Sequence, residues 1–600
     1  MNLFKGRGGL LAVVLGLALA FGCDDEGCGM PVERLERDLD DEDKLYDGIQ
    51  IELSPAGLDS LEENFDVIVD AFVEDGFVFD LEPDPGGCTG DVEARVCNRN
   101  DPCPIAVDLQ DVVLMRRSPN AIRIEANLYA ATGQDPYGSG SRIPVRACEP
   151  VSANCDARIH IRGKPIEAEV TLNRNPVTEG LGLNISKVPE IEIRDSDYSI
   201  GGGFMCSMAG LFKSEITEMV NDMLADELTP EIMEALDEAT CMGCDFFELG
   251  CIEGTNSSQV YLEVYCDEST NRCVKPSGRC IREPLGIVGR IDLGDLLDGL
   301  LPPTPVEVHI AAGQRAGSFA DPIIPHDDGP LQIRFITGLS VEHESPCVPP
   351  PSSPPLMGRS PRVDFSQATE AGDWDLAVGI SERFLNKALH EFYRSGGLCL
   401  DIDSEFDEMI STGLFATFLP SLGVLTEGEN TPLIISLRPR DRPMVNFGKG
   451  TYREEGDEIV MEEPLINIQF SDLDLDFYAF FEGRFFRAFT LHLDLTVPVG
   501  LRVTPDGELL PVLGDLDEMV NRVRVKNDDV VAEDPEVLQD IVPSIIGLIE
   551  PMLEDALGPI ELPEIEGFEL IIDSIEGLVP HGDPGRYQHI GMFGRLIVTL

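Results

Sequence analysis

From Val107 to Ile200 the chain alternates apolar and polar residues with little pause, and this period of two most restricts what it can fold into. VDLQDVVL (107–114), AIRIEANLYA (121–130), ARIHIRGK (157–164), IEAEVTLN (166–173) and IEIRDSDYSI (191–200) mostly present one apolar and one polar face. That is the pattern of antiparallel strands covered on one side. Asn175-Pro176 and the Gly180–Gly182 region read as turns. The alternation returns in TPLIISLRPRDRPMVNF (431–447), PLINIQFSDLDLDFYAFF (464–481) and FFRAFTLHLDLTVPVGLRV (485–503). Sheets of this length need an apolar element over one face.

Four stretches can supply one. In the first, Ile49, Ile51 and Leu53 alternate as a strand and Ser54 stands as a helix cap with Pro55 behind it. Leu58, Leu61, Phe65, Ile68 and Phe72 then fall on one helical face. In the second, Phe212, Ile216, Met219, Val220, Met223 and Leu224 form a stripe, interrupted near Pro230 and continued by Ile232 and Leu236. Thioethers in such a stripe adapt to variable apolar partners. In the third, a short strand at 375–379 leads to Ser381 as cap and a helix whose Phe384, Leu385, Ala388, Leu389 and Phe392 face the core; Gly396-Gly397 ends it. The fourth is a helix from Asp540 to Leu557, followed by Pro559-Ile560-Glu561-Leu562-Pro563 and a strand.

The residue order in these stretches resembles a known family. Ile380-Ser381-x-x-Phe384-x-Asn386-x-Ala388, then Tyr393 and Gly396-Gly397-Leu398, is similar to the opening of the second barrel in the family of bactericidal/permeability-increasing protein, lipopolysaccharide-binding protein and cholesteryl ester transfer protein. Gly48, Ile49, Leu53, Gly57, Leu58 and Asp59 resemble the opening of its first barrel, with Glu52 in place of a basic residue. Residues 285–319 resemble the passage from first barrel to central sheet, and the helix from Asp540 with the Pro559–Pro563 step resembles the helix, Pro-Leu-Pro step and final strand that close the second barrel. The resemblance implies an α+β fold of two elongated barrels, each a long antiparallel sheet wrapped around a long helix, joined by a central β-sheet. It implies cavities that take lipid acyl chains, with Leu61, Phe65, Ile68, Phe212, Ile216, Met219, Met223, Phe384, Leu385 and Leu389 as candidate lining. The lipopolysaccharide binders of that family use a basic tip; here Arg116-Arg117, beside Ser118-Pro119, are the head-group candidates.

Residues 1–22 carry Lys5, Arg7 and an apolar run from Leu10 to Phe21, a secretion signal too short to span a bilayer. Gly22-Cys23 resembles a bacterial lipobox, so Cys23 is the expected acylated residue and membrane anchor. The division expected is signal 1–22, acidic tether 23–47, first barrel and central sheet 48–345, Pro-rich linker 346–372 and second barrel 373–600, with a Cys-rich insertion at 239–283. Cys241, Cys244, Cys251, Cys266, Cys273 and Cys280 in that insertion read as disulfide cysteines, because an exported chain meets oxidant and no His lies nearby to complete a zinc set. With 109 acidic against 44 basic residues, the chain should repel nucleic acid, and adaptation to a salty medium or plain solubility is the expected reason for the excess. Asp472, Asp474 and Asp476 share one strand face and read as a solvated face and not as a metal site.

No nucleophile elbow, Walker loop or dinucleotide fingerprint occurs, and His390-Glu391 lacks the second His of a zinc protease. The expectation is therefore no enzyme, no metal and no cofactor beyond bound lipid: a lipoprotein on the inner or outer membrane of a Gram-negative bacterium that binds and carries phospholipid or another acyl lipid. The alternative is a surface-displayed interaction or adhesion lipoprotein, with the barrels as scaffold and the Cys-rich insertion as the module that meets an unknown protein partner.

Overall fold

The computed structural model describes residues 32–33, 43–63, 77–81, 94–96, 103–147, 153–174, 181–187, 194, 196–202, 265–267, 272–274, 286–292, 307–313, 329–341, 344–355, 358–369, 371–403, 410–455, 458–504, 509–514, 519–543, 568–582 and 585–598. They form a strand-rich α+β structure. In chain order its principal elements are β1 (Lys44–Leu53), α1 (Pro55–Glu63), β2 (Cys103–Arg117), β3 (Ala121–Thr132), β4 (Ala153–Arg174), β5 (Leu331–Val341), β6 (Leu376–Ser381) and α2 (Glu382–Ser395). They continue with β7 (Leu433–Pro439), β8 (Met444–Phe447), β9 (Ile466–Phe481), β10 (Arg484–Val503), β11 (Leu509–Leu513), β12 (Val520–Lys526), β13 (Phe568–Leu578) and β14 (His589–Val598).

A central sheet joins the two halves. β1 and β6 lie side by side and antiparallel in it, with Ile51 opposite Val378. β5 flanks β1, and β14 then β13 flank β6. Each central strand runs into a serine-capped helix: Ser54 Oγ accepts from the Gly57 N–H at 2.9 Å, and Ser381 Oγ from the Phe384 N–H at 3.2 Å. Ile51 and Val378 each stand three residues before their cap, so facing one another they mark a local two-fold between the strand–helix units. Ser54 also donates to the Trp374 carbonyl at 2.6 Å. A Cβ on Gly57 would come within 2.3 Å of the Asp375 carbonyl oxygen, so the start of α1 rests directly on backbone.

On the N-terminal side, β2 and β3 form a hairpin through a turn that holds the cis Ser118–Pro119 bond, and β4 pairs with β3. The expected strands 157–164 and 166–173 are one strand, because Gly163 takes φ +59° and lets β4 turn without ending. The turn expected at 180–182 instead begins a strand, Leu181–Lys187, paired with β4. On the other side, β7, β9, β10 and β11 pair in that order, with β8 on β9 and β12 on β10. The same device interrupts both halves. Register slips beside Asp111 (φ +51°) in β2 and beside Asp472 (φ +59°) in β9. An Asp tolerates this left-handed conformation, and the bulge moves the inner apolar positions of β9 from 466, 468 and 470 to 473, 475 and 477.

One end of the second sheet is plugged. Short helices Thr412–Phe415, Pro420–Leu425 and Pro535–Gln539 press Phe415, Leu422 and Leu538 onto Leu475, Phe477, Phe489 and Leu491. The helix expected from Asp540 therefore has a helical turn before it, started by Pro535; residues 544–567 lie outside the described residues. The Pro-rich stretch is fastened along its length: Cys347 is disulfide-bonded to Cys399, Pro349 accepts from the Tyr393 hydroxyl, and Arg442 donates to the Ser353 carbonyl.

Two histidines are sealed into this frame. His589, fully buried beside Gln50, has its imidazole pushed down from 6.5 to about 4 by burial, against the opposing pull of the Pro361 carbonyl. Burial, with Lys387, Arg394 and Arg442 adding to it, takes His390 to about 4 as well. The unfolded chain then binds protons that the folded chain refuses, so stability is full above pH 6.5 and falls as pH drops toward 4. For His589 the loss is about 3 kcal/mol. Urea midpoints at pH 7 and pH 4.5 should show it, and His589→Gln should flatten the slope; an unchanged slope in the variant would remove His589 as its source.

Candidate functional site

α2 has two unlike faces. Phe384, Lys387, His390, Glu391 and Tyr393 are buried, whereas Leu385, Ala388, Leu389 and Phe392 stay only partly buried. The apolar stripe expected to be core is thus the more exposed side, apart from Phe384. The reason lies in a polar lattice that the spacing of apolar residues does not reveal. Lys387 Nζ donates to Glu391 Oε1 at 2.6 Å and to Asp43 Oδ1 at 2.8 Å. Glu391 Oε2 accepts from Arg394 at 2.9 Å, and Arg394 reaches Glu344 at 2.6 Å. This side of α2 faces β1 and β5.

The other side faces apolar surface. Leu385 and Leu389 group with buried Val445, Phe447 and Leu465 and with partly buried Ile466, Ile468, Leu501 and Val503. Asn386 fixes the approach, giving to the Val445 carbonyl at 2.9 Å and accepting from its N–H at 3.0 Å. On the inner face of β10 every second residue from Phe489 to Val503 is apolar. Phe489, Leu491 and Leu493 are buried against the plug, while Leu495, Val497, Val499, Leu501 and Val503 are partly buried. β9 repeats the gradient, from Leu473, Leu475 and Phe477 to Ile466, Ile468 and Phe470. The result is a trough that begins at the plug and ends under α2, with no ionisable group on the inward positions of β10. It can accept aliphatic chains through dispersion and dehydration and can offer them no directional bond.

The outer face of the same strands is ionic, and the expectation of a solvated acidic face holds at exposed Asp472 but fails at Asp474 and Asp476. Asp474 and Asp476 are buried, because partners come from neighbouring strands: Arg440 and His492 for Asp474, Thr490 and Arg487 for Asp476. Burial raises the Asp474 carboxyl, but hydrogen bonds from Arg440 and His492 and the charge of Lys526 hold it below its ordinary value. Asp472, His492 and Asp494 gather on this face, each with one metal-ligating atom within 4.8 Å of the others.

Of the expected lining residues, Phe384, Leu385 and Leu389 sit on α2 as described. Leu61 lies on α1, with its side chain outside the description; Phe65, Ile68, Phe212, Ile216, Met219 and Met223 lie outside the described residues, as do Cys23, Cys241, Cys244, Cys251 and Cys280. Cys266 and Cys273 stand opposite one another in a two-stranded pair. Arg116 and Arg117 end β2 beside the Ser118–Pro119 turn, where Arg116 donates to the Gly329 carbonyl at 3.2 Å. Sequence reasoning did not single out the trough residues of β9 and β10, though their alternation was visible, nor the bridge between Cys347 and Cys399.

No protein-family model matches the chain, and no curated protein matches it. Among solved structures, that of a lipopolysaccharide binding protein is similar with a TM-score of 0.33 and 10% identity, over 92% of this chain and 99% of that one. P47 of Clostridium botulinum E1 is similar at 0.24 and 9%, over 92% and 99%. P47 from Clostridium botulinum A2 is similar at 0.24 and 8%, over 91% and 97%.

Proposed function

We propose that this chain is an exported, Cys23-anchored lipoprotein that binds acyl lipids and carries them within the envelope of a Gram-negative bacterium, without a covalent step. In this reading residues 48–345 and 373–600 form two elongated barrels around long helices, and the 346–372 stretch joins them. The observation that carries the reading is the inversion on α2. A helix that buries Lys387 and Glu391 while leaving Leu385 and Leu389 only partly buried over an apolar trough is arranged to receive something apolar. Burial is worth about 0.8 kcal/mol per methylene, so a pair of acyl chains supplies ample affinity with the head group left outside. The sequence resemblance set out above points the same way.

Full-length protein purified from a Gram-negative host should release acyl lipid on organic extraction, while any acyl chains on Cys23 stay with the protein. Native mass spectrometry should count one or more such lipids per chain. A Leu389→Asp, Val499→Asp double variant should retain at least tenfold less lipid at unchanged far-ultraviolet dichroism. A folded wild-type protein with no extractable lipid and no uptake of a fluorescent acyl probe would overturn the reading.

A further inference from the structure

The bulge that keeps the inner face of β9 apolar has a second effect on the outer face. It places Asp472 beside His492, which stands opposite Asp474 on β10. His492 is more than nine-tenths buried, unusual for an imidazole on the polar side of a sheet. Its Nδ1 lies 2.7 Å from Asp474 Oδ1, and Asp474 is held in turn by Arg440 at 2.7 Å and Lys526 at 3.4 Å. A carboxylate held in this way accepts a hydrogen bond from Nδ1–H and so orients the ring with Nε2 free to act as a ligand. Nε2 then faces Asp472 Oδ1 at 3.2 Å.

The spacing suits a cation. Tetrahedral zinc with bonds of about 2.0–2.1 Å has ligand atoms about 3.3 Å apart. Asp494, two residues along β10, brings a third ligand atom, all three lying within 4.8 Å of one another. Asp494 is steered into place from both sides: its Oδ1 accepts from the Asp472 N–H at 3.2 Å, and its Oδ2 meets Arg522 at 3.3 Å. The Arg440 N–H, bound to the Asp472 carbonyl at 2.8 Å, pins the bulge itself.

We propose that Asp472, His492 and Asp494 form a binding site for a divalent transition-metal cation of the zinc class, with Asp474 as the carboxylate that orients the imidazole. One imidazole and two carboxylates leave a fourth position for water. Calcium is the poorer fit, since it needs six to eight oxygens and Arg522, Arg440 and Lys526 already claim carboxylate oxygens here. The site stands independently of lipid binding, being on the opposite face of the sheet. Its role is to clasp β9 to β10 at the point where their ladder is broken.

The test uses the full chain, kept oxidised so that no thiolate competes, and Zn²⁺ or Co²⁺ as probe. Calorimetry should give one ion per chain, and Co²⁺ should give visible d–d bands without a thiolate charge-transfer band in the near ultraviolet. Asp472→Asn, a change at an exposed side chain, should weaken Zn²⁺ binding at least tenfold at unchanged far-ultraviolet dichroism, and His492→Gln should remove the Co²⁺ bands. Absence of stoichiometric binding, or binding that both variants leave intact, would overturn the proposal.

Discussion

Replacing Phe477 with alanine is expected to cost about 3–5 kcal/mol of stability in the second half of the molecule. The ring is fully buried, stacks on Phe489 with centroids 4.3 Å apart and planes 10° from parallel, and meets Phe415 at 5.9 Å. Three short helices close over it, so the void left behind cannot collapse without moving the plug. Urea unfolding followed by circular dichroism should show the midpoint falling with an unchanged slope. Phe485→Ala, at a ring 43% exposed, is the control and should shift stability by less than about 0.5 kcal/mol. Equal effects at the two positions would mean that the plug is not the core of this sheet.

The second large effect is expected at α2. Lys387→Met should destabilise by about 3 kcal/mol, because it takes from Glu391, which has no exposed surface, the closer of its two fixed cationic partners and leaves Arg394. Removing both charges together, as Lys387→Met with Glu391→Leu, should restore most of that loss, since a buried pair gives back little of the cost of dehydrating it. Arg394 keeps Glu344 in the double variant. A double variant as unstable as the sum of the singles would show that the lattice contributes net stability and not merely a fixed helix position. Lipid retention measured on the same proteins should follow the helix position, falling in the single variant and recovering in the double.

What could be read from sequence was what depends on neighbours in the chain. Ser381 as a cap and Gly396 as a stop are local chemistry, and both hold: Ser381 accepts from Phe384, and Gly396 takes φ +86°. The alternation of β2, β3, β9 and β10 is local as well. The burial of Asp474 and Asp476 was not legible, because Arg487, Thr490 and His492 come from β10 and Arg440 from the bend after β7, and nothing in SDLDLD announces them. The bulge did leave a trace: apolar residues at 466, 468 and 470 change parity to 473, 475 and 477 across Ser471-Asp472, a slip that a strict two-residue repeat forbids. The helix of 382–395 misled for a related reason. An apolar stripe shows which side avoids water in a filled core, but it does not show whether the core is filled, and the four-residue spacing of Lys387 and Glu391 is equally that of an exposed helix pair.

The arrangement of the central sheet sets the order in which the molecule can be completed. β6 lies between β1, more than three hundred residues before it, and β14, more than two hundred after it. Neither half can therefore finish its own side of the sheet from nearby chain, and the centre must wait for the last of these three strands. Closing loops of that length is slow even when it costs little at equilibrium. Until β14 arrives, β6 is an unpaired edge, open to any extended chain that passes. A protein built in this way should depend on chaperones during its assembly more than its finished stability suggests.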